Sequence, residues 1–313
     1  MPEGADELIV TPAQLGIVTF RYVPEGADPE DVDRIQQALV EVLASEGYAF
    51  LTSPVLGGKE VLRSPVPADK IARIYAGTSQ DGLRFEMGDQ PVIGPGPDEA
   101  DKDGAEDPTV MVEGGELHVY YTGWNEAELN AQLMRATGSD VHHLRKDGVA
   151  LPSTSTHRDT KEASLACLPD GTWRLFFEYS ANGHSLVGLA SGPSVDGPWS
   201  VQSPLFHPRD GHWDSWHLST GPILRSDPGR PVMFYNGADK EGCWKIGWIA
   251  FDERYTRVVA RSDTPLVSPG PVDPPYRDIA FASSLVETAS AIWLYYSVAD
   301  MDDRRATIQP PVR

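Results

Sequence analysis

A strand-pair phrase that returns along the chain constrains the fold more than any other feature. Residues 109–112, 163–168, 219–224 and 280–287 each read as a short inner strand. An aromatic-rich strand follows each of them: Val119-Tyr120-Tyr121, Leu175-Phe176-Phe177, Val232-Met233-Phe234-Tyr235 and Trp293-Leu294-Tyr295-Tyr296. The unit recurs about every 50 to 60 residues, the period of small sheets set radially around an axis. A second phrase adds outer strands. Residues 71–78, the turn Ser79-Gln80-Asp81-Gly82 and Leu83-Arg84-Phe85 are echoed by residues 186–191 and Val195-Asp196-Gly197-Pro198-Trp199. The expected fold is mainly β, a β-propeller. Four units are clear, and a fifth would need residues 48–63 as its first strands. The 29 glycines and 27 prolines suit many short strands joined by turns.

The first part of the chain follows another pattern. Residues 16–22 read as a strand. Asp28-Pro29-Glu30-Asp31 starts a helix, with a cap and a proline in the first turn. Val32, Ile35, Leu39, Val42 and Leu43 then recur at helical spacing up to Gly47. Residues 48–51 and 60–63 read as two strands, giving a small N-terminal α+β (β-α-β-β) segment. The runs 15–22, 31–39, 49–52 and 59–63 resemble the C-terminal subdomain of pyridoxal-phosphate-dependent amino-acid decarboxylases. The large cofactor domain of that family, with its Schiff-base lysine, has no counterpart here. No decarboxylase activity carries over, and no cofactor is expected. Both resemblances claim residues 48–63. The expected division is a non-catalytic segment at 1–64 and the propeller at 65–313.

Composition narrows the partners. There are 46 acidic and 26 basic residues, and the formal net charge is -20. Such a surface repels nucleic acid and anionic lipid, so neither is an expected partner. Cys167 and Cys243 lie far apart and make no disulfide framework. No long apolar run could span a membrane, and residues 1–6 lack the pattern of a secretory signal. The expectation is a cytoplasmic protein, and a homo-oligomer is compatible with the sequence.

The blade phrases resemble glycoside hydrolase family 130, five-bladed propellers that act on β-mannosides. The carriers are ordered. Ala72-Arg73-Ile74-Tyr75-Ala76-Gly77-Thr78-Ser79 and Asp81-Gly82 match a first-blade motif. Gly104-Ala105-Glu106-Asp107-Pro108 matches the acid motif, followed by Tyr120-Tyr121-Thr122-Gly123. Phe234-Tyr235-Asn236-Gly237, Trp244-Lys245-Ile246-Gly247 and Tyr295-Tyr296-Ser297-Val298-Ala299-Asp300 match the later blades. The resemblance implies an enzyme acting on a small carbohydrate. It implies Asp107 as the acid that protonates the leaving oxygen through a sugar hydroxyl, with Asp300 and Arg63 on the sugar. Glu106 is a neighbouring carboxylate that would help raise the pKa of that acid. Trp124 and Trp216 are candidates to stack on sugar rings.

Departures from the pattern bear on the nucleophile. Many members are phosphorylases, which hold phosphate with basic side chains. Thr109 stands where the acid motif carries arginine. Glu178 stands where an arginine follows the third aromatic strand, while Lys161 remains beside Glu162. A carboxylate beside incoming phosphate is unfavourable. Water as nucleophile, hence an inverting hydrolase, is the expectation, with Glu178, Glu162 and Asp214 as candidate bases. A phosphorylase, an inactive carbohydrate-binding or assembly propeller, and a propeller recruited to a non-sugar substrate remain as alternatives. His212, Trp213, Asp214, Trp216 and His217 form a dense cluster whose spacing lacks a metal signature. No metal is expected there, and Asp214 and His217 are candidate ligand contacts.

Overall fold

The computed structural model describes residues 71–224, 229–270, 278–288, 291–299 and 302–308, together with the backbone of five strands before residue 64. The chain divides into two compact units. One holds Met1–Ile71 with Met301–Asp303, the other Ala72–Asp300 with Arg304–Arg313.

In the first unit, β1 (Ala5–Gln14) pairs with β2 (Ile17–Pro24), and β2 pairs with β5 (Leu62–Arg63). β3 (Val55–Leu56) and β4 (Lys59–Glu60) form a separate hairpin. β2 matches the expected strand at 16–22; β1 was not anticipated. The helix expected after Asp28 and the strand expected at 48–51 lie outside the described residues. So does the side chain of Arg63, whose backbone pairs with Thr19.

The second unit is a propeller-like set of four blade sheets. The first blade contains β8 (Gly104–Glu113), β9 (Glu116–Asn125), β10 (Asn130–Gly138) and β11 (Leu144–Leu151). The second contains β12 (Arg158–Cys167), β13 (Trp173–Ala181), β14 (His184–Gly192) and β15 (Ser200–Gln202). In the third, β16 (His217–Ser219) and β17 (Ile223–Leu224) pair with β18 (Val232–Ala238), followed by β19 (Trp244–Phe251) and β20 (Val258–Arg261). The fourth has β21 (Ala280–Glu287), β22 (Ile292–Val298) and β23 (Asp302–Ile308). The inner strand expected at 219–224 is broken in two. Gly221-Pro222 interrupts it, since proline has no N–H for the ladder. The Pro222 carbonyl still accepts from Phe234 N at 3.0 Å. The long strands expected at 71–78 and 83–85 reduce to β6 (Gly77–Thr78) paired with β7 (Glu86–Met87), plus a bridge between Ile74 and Ile93.

Adjacent aromatics explain how the blades pack. Successive side chains on a strand point to opposite faces. Tyr120 and Tyr121, both fully buried, therefore fill opposite faces of the first blade. Tyr120 Oη donates to Val195 O of the second blade at 2.6 Å. Tyr121 Oη donates to Asp101 Oδ2 at 2.8 Å, on the other side. Phe176 and Phe177 do the same for the second blade, each joining a different core cluster.

Side-chain bonds also stitch the inner strands together. Thr109 Oγ1 donates to Ala163 O at 2.7 Å, and Ser164 Oγ donates to Gly221 O at 2.7 Å. Asn236 Nδ2 donates to Thr220 O at 2.7 Å and to Ala282 O at 3.1 Å. Residues 72–105 reach the first blade through Ala105 N to Ala72 O at 3.0 Å. The fourth blade meets the same stretch through Tyr295 Oη to Gly82 O at 2.8 Å. Among the described residues, no helix is long and apolar enough to cross a membrane.

Candidate functional site

Three acidic residues in two neighbouring inner strands adopt the left-handed backbone region: Asp107 (φ 51°), Asp159 (φ 50°) and Glu162 (φ 49°). Each sits at a register shift. Asp107 and Pro108 together oppose Tyr121, between the pairs Glu106↔Thr122 and Thr109↔Tyr120. Glu162 is the extra residue between the pairs Lys161↔Glu178 and Ala163↔Phe177. Asp159 lies in the shift between Arg158↔Ser180 and Lys161↔Glu178. A non-glycine residue held at such a φ costs about 1–3 kcal/mol, which concentrates at functional sites. Bulges of this kind re-aim side chains. The acid motif thus lies inside β8, not ahead of the strand as expected.

Of these three, Asp159 borders a cavity of about 260 Å³, whose lining also includes Glu106, Lys161 and Glu178, the chain and cross-strand neighbours of the other two. Trp124, Leu129, Ala131, Ser180 and Ser185 complete it. Lys161 and Glu178 are direct cross-strand partners, with Nζ 3.4 Å from Oε1. Glu178 is buried, at 2% exposure. Lys161 is the one basic residue of this lining.

The electrostatics follow from crowding carboxyl groups away from water. Burial pushes the Glu106 carboxyl up to about 7; the Asp107 charge adds to this and Lys161 opposes it. Burial likewise raises Asp107, against the pull of Lys161 and a hydrogen bond from Thr122, with Glu178 adding to the rise. Glu162 is raised well above the usual carboxylate range by burial, then by Asp107 and Glu178; Lys161 and a Ser219 hydrogen bond oppose this. That bond, Ser219 Oγ to Glu162 Oε2, is 3.3 Å. Glu178 foremost, then Glu162, Asp107 and Glu106, raise the Lys161 ammonium despite its burial. Such a cluster holds some carboxyls protonated near neutral pH while another stays paired with a cation, the condition for acid and base work side by side.

The raised groups carry a stability consequence. A carboxyl whose folded pKa exceeds its unfolded value stabilises the fold fully below the unfolded pKa. That contribution is lost as pH rises through the folded value. Glu162→Gln is therefore expected to raise the melting temperature at about pH 8, by about 2 °C or more, and to raise it less at about pH 5. Scanning fluorimetry across that range checks it, and an equal shift at both ends contradicts it.

The structure brings Asp107, Glu178, Glu162, Glu106, Trp124 and Lys161 together, and it separates Asp214 from them. Asp214 is fully buried and accepts from Tyr235 Oη at 2.6 Å, Arg261 Nη2 at 2.6 Å and Arg209 Nε at 3.1 Å. Its carboxylate is enclosed by two guanidinium groups and the Tyr235 hydroxyl. Asp214→Ala is expected to cost about 3–5 kcal/mol in urea unfolding, because both cations lose their partner. A loss under about 1 kcal/mol would contradict this assignment.

His217 is absent from the cavity lining but holds one lining residue, since its Nδ1 accepts from Ser185 N at 2.9 Å. Its ring stacks on Trp244 with centroids 5.8 Å apart. Burial, then His184, lowers the His217 pKa. Trp216 packs on His184 at 4.2 Å between centroids, and Lys240 lies over its ring. Asp300 falls outside the described residues. Sequence reasoning missed Asp159, Leu129 and the positioning hydroxyls of Thr122 and Ser219. For Thr122 a signal was present in Tyr120-Tyr121-Thr122-Gly123; for Leu129 there was none.

Comparison with known proteins places the chain in a family. Residues 65–306 match the glycoside hydrolase family 130 model, described as beta-1,4-mannooligosaccharide phosphorylase. The beta-1,2-mannobiose phosphorylase of Thermoanaerobacter sp. (strain X514) is 23% identical over 252 residues, covering 77% of this chain and 80% of that protein. A solved structure is 25% identical, covers 84% of each chain and has a TM-score of 0.66. Its title states that the GH130 family of mannoside phosphorylases contains glycoside hydrolases that target beta-1,2 mannosidic linkages in Candida mannan. A separate likeness, 46% identity over 62 residues, links 20% of the chain to an aromatic-L-amino-acid decarboxylase of Bacillus atrophaeus, of which it spans 13%. With a family model matched over most of its length and a carboxylate-lined cavity on its blades, the chain belongs to glycoside hydrolase family 130.

Proposed function

We propose that the protein hydrolyses β-mannosides by single displacement with inversion at the anomeric carbon. The observation that carries this reading is the charge of the cavity. Glu178 borders it with Lys161 as counterion, and Glu106, Asp107, Asp159 and Glu162 lie around the same lysine or along the same wall. A phosphate dianion entering this space meets carboxylates. At about 4 Å, each pair of like unit charges repels by about 4 kcal/mol at an effective dielectric constant of about 20. Thr109, in the place of a phosphate-holding arginine, is engaged in blade stitching through Ala163 O. Water carries no such penalty.

In this reading Asp107, protonated by virtue of its raised pKa, gives its proton to the leaving oxygen through a sugar hydroxyl. Glu178, ion-paired with Lys161, takes a proton from the attacking water. Glu162 is the alternative base, but its raised pKa and its absence from the cavity lining favour Glu178. Glu106, Trp124, Lys161 and His217 are proposed sugar contacts, as are Arg63 and Asp300. The ladder of β6 and β7 with the Ile74–Ile93 bridge is proposed as the remnant of a fifth blade. Residues 1–64 are proposed as a non-catalytic segment.

A phosphorylase is the second reading, favoured by the name of the Thermoanaerobacter relative. Incubation with aryl β-mannoside and manno-oligosaccharides, with and without phosphate, separates the two. Free mannose formed equally in both arms supports hydrolysis. Mannose 1-phosphate overturns it.

A further inference from the structure

The bulges at Asp107 and Glu162 belong to neighbouring blades, and one side chain touches both. Thr122 is fully buried in β9, directly across the ladder from Glu106. Side chains two apart on a strand share a face. Thr122 therefore lies on the face of Tyr120, whose Oη reaches Val195 O of the second blade. On that face Thr122 Oγ1 accepts from Glu162 N at 3.5 Å. The Glu162 carbonyl is held as well, since Thr220 Oγ1 donates to it at 2.7 Å. The second bulge is thus clamped by a hydroxyl of the first blade and one of the third. Thr122 also hydrogen-bonds the Asp107 carboxyl. A hydroxyl has a single proton to give. Glu162 N–H uses the acceptor side of Thr122, so that proton goes to Asp107. In a protonated carboxyl the carbonyl oxygen is the better acceptor, and the acid's own proton sits on the other oxygen.

We propose that Thr122 is a positioning residue for the acid: its hydroxyl fixes which oxygen of Asp107 carries the proton and ties that carboxyl to the Glu162 bulge of the next blade. The inference rests on the β-mannoside reading, in which Asp107 is the proton donor. The hydroxyl has a second effect, with a definite sign. A donor aimed at a carboxyl favours the charged form, so Thr122 opposes the rise that burial imposes on Asp107. Among the described residues, the other charged groups acting on Asp107 are Glu106 on its own strand, Lys161 and Glu162 on β12, and Glu178 on β13. All of them stay in place when Thr122 is changed.

The test compares Thr122→Val, which keeps the shape and loses the hydroxyl, with Thr122→Ser, which keeps the hydroxyl. On β-1,2-mannobiose, Thr122→Val is expected to lower kcat by about 10-fold or more with KM changed little. It is also expected to move the alkaline limb of kcat/KM up by about half a pH unit or more. Thr122→Ser is expected to restore both. An aryl β-mannoside with a good leaving group needs little protonation, so Thr122→Val should keep most of its rate there. If circular dichroism shows Thr122→Val unfolded, Thr122→Ala removes the same hydroxyl with less bulk and takes its place. An unmoved limb, an equal loss on both substrates in a folded variant, or Thr122→Ser as slow as Thr122→Val overturns the inference and leaves the mannoside reading standing. An unsubstituted protein that cleaves neither substrate overturns the mannoside reading, and the inference with it.

Discussion

Asp107→Asn is expected to lower kcat on β-mannosides by about a thousandfold, with KM changed little. The substitution keeps the shape of the side chain and removes the proton. The backbone at Asp107 already lies in the left-handed region, which asparagine tolerates as well as aspartate does, so the bulge should persist. The loss should be largest for substrates with basic leaving groups. An aryl mannoside with a good leaving group needs little protonation and should retain more of its rate. The pH profile adds a second check. A general acid works only while protonated, and burial raises this carboxyl above its usual range. The alkaline limb of kcat/KM should therefore lie above the pH of an ordinary aspartate, and Asp107→Asn should abolish it. A variant that keeps its rate on mannobiose would remove Asp107 from the chemistry.

Glu178→Ala is expected to lower kcat by about 10²- to 10⁴-fold, the usual contribution of a positioned base. Here the effect of losing a buried charge must be separated from the effect of losing a base, because Lys161 would lose its partner at 3.4 Å. Azide separates them. It needs no deprotonation to act as a nucleophile, and in the space freed by the side chain it can attack the face opposite the leaving group. Restored turnover with formation of α-mannosyl azide identifies Glu178 as the base. Absence of rescue in a folded variant, together with rescue in Glu162→Ala, would transfer the role to Glu162.

The parts of this fold that were legible in the sequence are those fixed by local pattern. Tyr120-Tyr121, Phe176-Phe177 and Phe234-Tyr235 announce second strands of blades, because only a strand buried on both faces can place two adjacent aromatics inside. Gly221-Pro222 was a breaker within an expected strand, and the strand does break there. The site was legible in composition but not in geometry. Asp107 and Glu162 look like ordinary polar positions of strands; only the bulges bring them close enough to act on each other. Asp214 misled because its surroundings, His212 to His217, resemble a binding cluster. One of its two cation partners, Arg261, lies 47 residues further along. Long-range ion pairs leave no local signature.

The most direct measurement is the time course of β-1,2-mannobiose cleavage in phosphate buffer, followed by proton NMR of the anomeric signals. A water molecule activated by Glu178 and an acid at Asp107 predict that α-mannose appears from the cleaved unit before mutarotation, at a rate independent of phosphate. Accumulation of mannose 1-phosphate, or first release of that unit as β-mannose, would contradict the account.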